Sequence, residues 1–103
     1  MPNTLKRRPT SPGEILAQEY LIPLGITQKK LADHIQCDVK VISRIVHNRC
    51  AITAALALKL AAAFNTSPEF WLNAQKAVDL YEASQFLKKL PRPLLHMGRI
   101  AYS

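Results

Sequence analysis

At 103 residues, 49% apolar and 20% charged, the chain has the size of one small domain with a modest core, and none of its apolar runs approaches the roughly 20 residues of a membrane-spanning helix. Abundant Ala and Leu with only three glycines predict an all-α bundle. The net charge of +7 sits at the two ends, where Lys6, Arg7 and Arg8 precede a balanced middle and Lys88, Lys89, Arg92 and Arg99 follow it; basic ends favour a polyanionic partner, and the bland alternative is a solubilising pattern.

Residues 1–10 are basic and proline-punctuated, which predicts a flexible arm that follows a phosphate track, enters a minor groove or simply stays unordered. A domain over residues 11–84 follows. Ser11-Pro12-Gly13-Glu14 is a capping box with proline at the first helical position, where no N–H is needed. Ile15, Leu16 and Tyr20 are expected inside. Pro23 and Gly25 are expected to break this helix, with Leu24 and Ile26 as plugs beneath the next turn.

Residues 27–53 predict two short helices joined by a tight turn. Leu31, Ala32 and Ile35 share one apolar stripe, and Val41, Ile42, Ile45 and Val46 share another. Thr27 and Asp38 are the expected N-caps, which leaves roughly Ile35 to Cys37 for the turn. The second helix then shows solvent Val39, Lys40, Ser43 and Arg44, the candidate DNA base readers. A long cationic donor can bridge two acceptors of guanine in the major groove, and a valine can meet a thymine methyl. Gln28, Lys29, His47, Asn48 and Arg49 are the candidates for the DNA backbone.

Thr53 is the expected cap of a scaffold helix to about Phe64, with Leu56, Leu60, Ala63 and Phe64 inward. Asn65 ends it and Ser67-Pro68 opens the next, whose Phe70, Trp71, Ala74, Val78 and Tyr81 recur at helical spacing as a core stripe. Residues 85–103 form a C-terminal extension, and its last stretch, from Leu90 on, is kept from being helical by Pro91 and Pro93. Leu80, Tyr81, Phe86, Leu87, Leu94 and Leu95 are the candidate dimer or partner surface; Met97, Ile100 and Tyr102 add to an extension too apolar for a solvated tail. It can cross over within a homodimer, clamp another protein or remain frayed.

Cys37 and Cys50 form no C-x-x-C pair and are expected to be small buried thiols without a disulfide. His34, His47 and His96 are too scattered for a metal site, and neither a cofactor motif nor a catalytic constellation is present, so no enzyme activity is expected. The first residues lack the apolar segment of a secretory signal, which makes the cytoplasm the expected compartment.

Gln28, Leu31, Ala32 and Ile42 to Ile45 resemble the phage-repressor-like helix-turn-helix family of the XRE, or Cro/C1, type. The likeness is closer still to the HigA (VapI-like) antitoxins, through Pro12 to Leu16, Ile42 to Arg49 and Ser67 to Asn73, over about residues 8–84. The resemblance implies a five-helix, lambda-repressor-like DNA-binding domain. It further implies an antitoxin of a type II toxin–antitoxin system that neutralises a RelE-like mRNA endonuclease and represses its own operon. A homodimer on double-stranded operator DNA is the expected assembly. The alternative is a stand-alone homodimeric repressor with no toxin partner. Two departures stand out: Gln36 and Asn48 occupy positions where the family commonly has glycine. Glutamine tolerates the left-handed backbone poorly, so a less regular turn is expected at Gln36.

Overall fold

A computed structural model describes residues 7–95. Expectations placed on Lys6 and on His96, Met97, Arg99, Ile100 and Tyr102 lie outside the described residues. Among the described residues, five helices make up the fold. Helix α1 combines α-helical Pro12–Ile15, a π-helical stretch Leu16–Leu21 and α-helical Ile22–Leu24. It is followed by α2 (Gln28–Ile35), α3 (Val39–Val46), α4 (Ala54–Phe64) and α5 (Pro68–Phe86).

The starts of α1, α2, α3, α4 and α5 are capped by Ser11, Thr27, Asp38, Thr53 and Ser67. Each side-chain oxygen accepts an N–H that the first helical turn cannot satisfy internally. At Ser11 the capping box is complete, because Glu14 Oε1 accepts the Ser11 N–H at 2.8 Å while Ser11 Oγ accepts the Glu14 N–H at 3.1 Å.

The expected break at Pro23 does not occur. The preceding stretch is wound as a π-helix in which Ile22 N–H reaches back to Ala17 O. This five-residue register displaces the carbonyl that a proline ring would otherwise strike, so the chain passes Pro23 and ends at Gly25, whose φ of 66° suits glycine. Leu24 is correspondingly not a plug but exposed, whereas Ile26 is half-buried against the core.

Gln36, Asn48 and Asn65 also carry positive φ, at 59°, 59° and 58°. Each closes a helix with a bond from the following N–H back to the carbonyl five residues earlier: Cys37 to Ala32 at 2.9 Å, Arg49 to Arg44 at 2.7 Å and Thr66 to Ala61 at 3.0 Å. The turn at Gln36 is thus regular, contrary to expectation, and Gln36–Cys37 alone separate α2 from the Asp38 cap, with Ile35 still helical. A side chain held left-handed costs about 1–2 kcal/mol, partly offset by the greater freedom glycine gives the unfolded chain. Gln36→Gly is therefore expected to stabilise by about 0.5–1 kcal/mol. A urea midpoint that failed to rise would contradict this.

Leu16, Ile42, Ile45, Leu60 and Trp71 are the largest fully buried side chains, and α1, α3, α4 and α5 each supply one or more of them. Ala57 and Ala61 of α4 are buried, and α4 packs against α5. Trp71 anchors an aromatic cluster, with ring centroids 5.6 Å from Tyr20, 6.5 Å from Phe64 and 5.1 Å edge-on from Phe70. Phe70 was expected inside but lies at the surface; it precedes Trp71 by one residue, a step of about 100° that turns it off the buried stripe. Cys50 is exposed in the loop after α3, not buried, and Cys37 is half-buried. Burial pushes the Cys37 thiol above its usual value, a trend that nearby Lys59 opposes and Asp38 reinforces.

Candidate nucleic-acid interface

Helix α3 divides sharply by burial. Ile42 and Ile45 are sealed inside at 0% and 1% exposure, while Val39, Lys40 and Arg44 stand in solvent and Ser43 is half-exposed. All four candidate base readers therefore share one outward strip on a helix whose other side is locked into the core. At its N-terminus Asp38 Oδ1 accepts the Lys40 N–H at 2.9 Å. The preceding turn is held by Lys59 of α4, whose Nζ donates to Gln36 O at 3.2 Å. Among the described residues Lys40, Arg44 and Arg49 take part in no ion pair, so their charge is uncommitted.

The candidate backbone contacts are less uniform. Gln28 is half-buried at the first position of α2. Lys29 is exposed but lies 3.3 Å from Asp33, one turn on; such a solvated pair is weak and yields readily to a stronger anion. His47 Nδ1 sits 2.8 Å from Ser43 O. A carbonyl only accepts, so Nδ1 carries the proton and Nε2 can donate outward only from the protonated ring.

Asn48 has a role the spacing did not reveal. Its Oδ1 accepts from Ser11 Oγ at 2.6 Å, which joins the start of α1 to the end of α3 through a serine only 2% exposed. Gly13 makes that junction possible: a Cβ there would overlap Ile45 O and approach Asn48 Oδ1 to 2.9 Å. Beyond Asn48, the loop is held again where Gln75 Oε1 of α5 accepts the Ile52 N–H at 3.0 Å. Arg49 lies between these two tethers, exposed, beside a cleft of about 230 Å³ that Arg8, Ser11, Asn48, Gln75 and Glu82 also line. Arg8 reaches Glu82 across it at 3.1 Å.

The spacing of residues gives no sign that Ser11, Gly13 and Gln75 support this region. A glycine in the first turn of a helix, where alanine is better tolerated, is a sequence sign of close approach. Gln75 carries no comparable sign.

The candidate partner residues lie toward the end of α5 and in the stretch that follows it. Leu80, Phe86, Leu87, Leu94 and Leu95 are exposed, Leu94 almost completely at 97%, while Tyr81 is half-buried. Among the described residues no helix is long and apolar enough to cross a membrane, and no three His, Cys, Asp or Glu side chains gather as a metal site.

A helix-turn-helix family model matches residues 18–71, from within α1 to the first turn of α5. The antitoxin HigA-1 of Vibrio cholerae is 46% identical over 92 residues, which cover 82% of this chain and 87% of that protein. Among solved structures, a HigA-family addiction-module antidote protein from Coxiella burnetii superposes with a TM-score of 0.73 at 40% identity, covering 78% of this chain and 87% of that one. The Pseudomonas aeruginosa antitoxin HigA, solved with the higBA promoter, gives a TM-score of 0.78 at 33% identity over 85% of this chain and all of its own. With its all-helical fold and an outward strip on the second helix of the motif, the chain belongs to the HigA antitoxin family of helix-turn-helix proteins.

Proposed function

We propose that this protein is a sequence-specific DNA-binding antitoxin that represses its own operon and neutralises a RelE-like mRNA endonuclease toxin in the cytoplasm. The observation that carries the DNA-binding half is the division of α3, with Ile42 and Ile45 wholly buried and Val39, Lys40 and Arg44 in solvent. A helix anchored in this way presents its outer strip rigidly to a major groove. Arg44 and Lys40 read bases there, with Ser43 and Val39 completing the surface, and Gln28, Lys29, His47, Asn48 and Arg49 take the flanking phosphates. Two copies, paired through the apolar end of α5 and the extension over residues 85–103, bring two reading helices about 34 Å apart onto the half-sites of an inverted repeat. The promoter-bound relative supports this reading, and the likeness to antitoxin HigA-1 supports the toxin partner.

Co-expression with the product of the adjacent short open reading frame tests the role. The expected result is relief of growth arrest, recovery of a stable complex and protection of a repeat in the shared promoter. Promoter protection without relief of arrest would overturn the antitoxin assignment and leave a stand-alone repressor. Arg44→Ala is expected to weaken operator binding by about 1–3 kcal/mol and to relax the preference at one position of each half-site. Unchanged affinity and footprint would remove Arg44 from the readers.

A further inference from the structure

We propose that Gln75 of α5 is a positioning residue for DNA binding: it fixes the loop over residues 48–53 so that Arg49 is held at the duplex backbone. This rests on the reading of Arg49 as a phosphate contact. The loop leaves α3 through the left-handed Asn48 and enters α4 at the Thr53 cap. Outside the helical bonds at its ends, two side chains hold it. Ser11 grips Asn48 at 2.6 Å, and Gln75 grips the Ile52 N–H at 3.0 Å. Ile52 is 5% exposed, so water cannot readily replace Gln75 as the acceptor.

The amide of Gln75 is itself oriented. Its Nε2 donates to Asp79 Oδ1 at 2.9 Å, one turn along α5, which leaves Oε1 facing the loop. Arg49 lies between the two tethers and shares the cleft with Gln75. A phosphate contact made by a long flexible side chain is improved when its backbone is fixed beforehand, because less freedom is lost on binding. The family-model match ends at residue 71, so this tether comes from the part of α5 beyond the motif. The same helix carries Leu80 and Tyr81, so the segment offered for pairing also sets the backbone-contact loop.

The test is a double-mutant cycle between Gln75→Met and Arg49→Ala on promoter duplexes over a range of salt. Methionine keeps the length of the side chain and its charge state while removing both hydrogen bonds; Gln75→Ala takes its place if methionine does not pack. Arg49→Ala is expected to weaken all duplexes alike and to flatten the salt dependence by about one ion. Gln75→Met should weaken binding by about three- to tenfold without changing base preference. It should also speed hydrogen exchange at the Ile52 amide, and its effect on affinity should vanish in the Arg49→Ala background. An undiminished Gln75→Met effect in that background, or no effect at all, would overturn the positioning role while leaving Arg49 as a phosphate contact. No effect of Arg49→Ala itself would overturn both.

Discussion

Replacing Gly13 by alanine is expected to destabilise the domain by about 1–3 kcal/mol and to weaken DNA binding beyond what the loss of folded protein explains. In an isolated helix the same change would help, by up to about 1 kcal/mol. Here the added methyl would overlap the Ile45 carbonyl oxygen. That oxygen belongs to the backbone of α3 and accepts the Asn48 N–H at 2.9 Å, so no side-chain rotation relieves the overlap and the helices must separate. Separation breaks the bond between Ser11 and Asn48 and shifts both the end of α3, which carries Arg44, and the loop after it, which carries Arg49. With one bidentate base contact worth about 1–3 kcal/mol, its misplacement should cost about tenfold or more in affinity per folded molecule. Urea unfolding measured beside a binding titration corrected for folded fraction separates the two effects. A variant with raised stability and normal affinity would show that α1 and α3 are not in close contact.

Trp71→Ala should cost more, about 3–5 kcal/mol, a large share of the 5–15 kcal/mol that holds a typical domain together. The indole is completely buried, and its Nε1 donates to Thr66 Oγ1 at 2.8 Å. Removing it empties the space bounded by Tyr20 and Phe64 and leaves the Thr66 hydroxyl without its donor. Because the cavity joins α1, α4 and α5, α2 and α3 lose the scaffold against which they are ordered. Trp71→Phe keeps part of the packing and loses the hydrogen bond, so its unfolding midpoint should lie between those of the alanine variant and the parent. Equal midpoints for all three proteins would mean that the cluster does not carry the core.

Much of the fold follows from local rules. The capping residues Ser11, Thr27, Asp38, Thr53 and Ser67 act within three positions of themselves, and apolar stripes such as Leu31, Ala32 and Ile35 depend only on helical periodicity. Both kinds of signal are complete in the sequence. The misplaced elements have a different cause. Pro23 breaks a helix wound in the α register but not one that has already changed register, and the winding over Leu16–Leu21 is not encoded in the proline itself. Phe70 and Trp71 are equally aromatic neighbours, and only the position of the surrounding helices decides that Trp71 goes inside.

The chemistry of the outward strip proposed to read DNA, with Lys40, Ser43 and Arg44 on one side of a helix and Ile42 and Ile45 on the other, was determined by the order of residues 39–49. The tethering of that helix and of the loop after it was decided by contacts remote in sequence: Ser11 with Asn48, Gly13 with Ile45 and Gln75 with Ile52. A helical period is a property of neighbours three or four residues apart. A hydrogen bond across 37 or 23 residues exists only once the chain has closed the intervening loops, and no local pattern announces it.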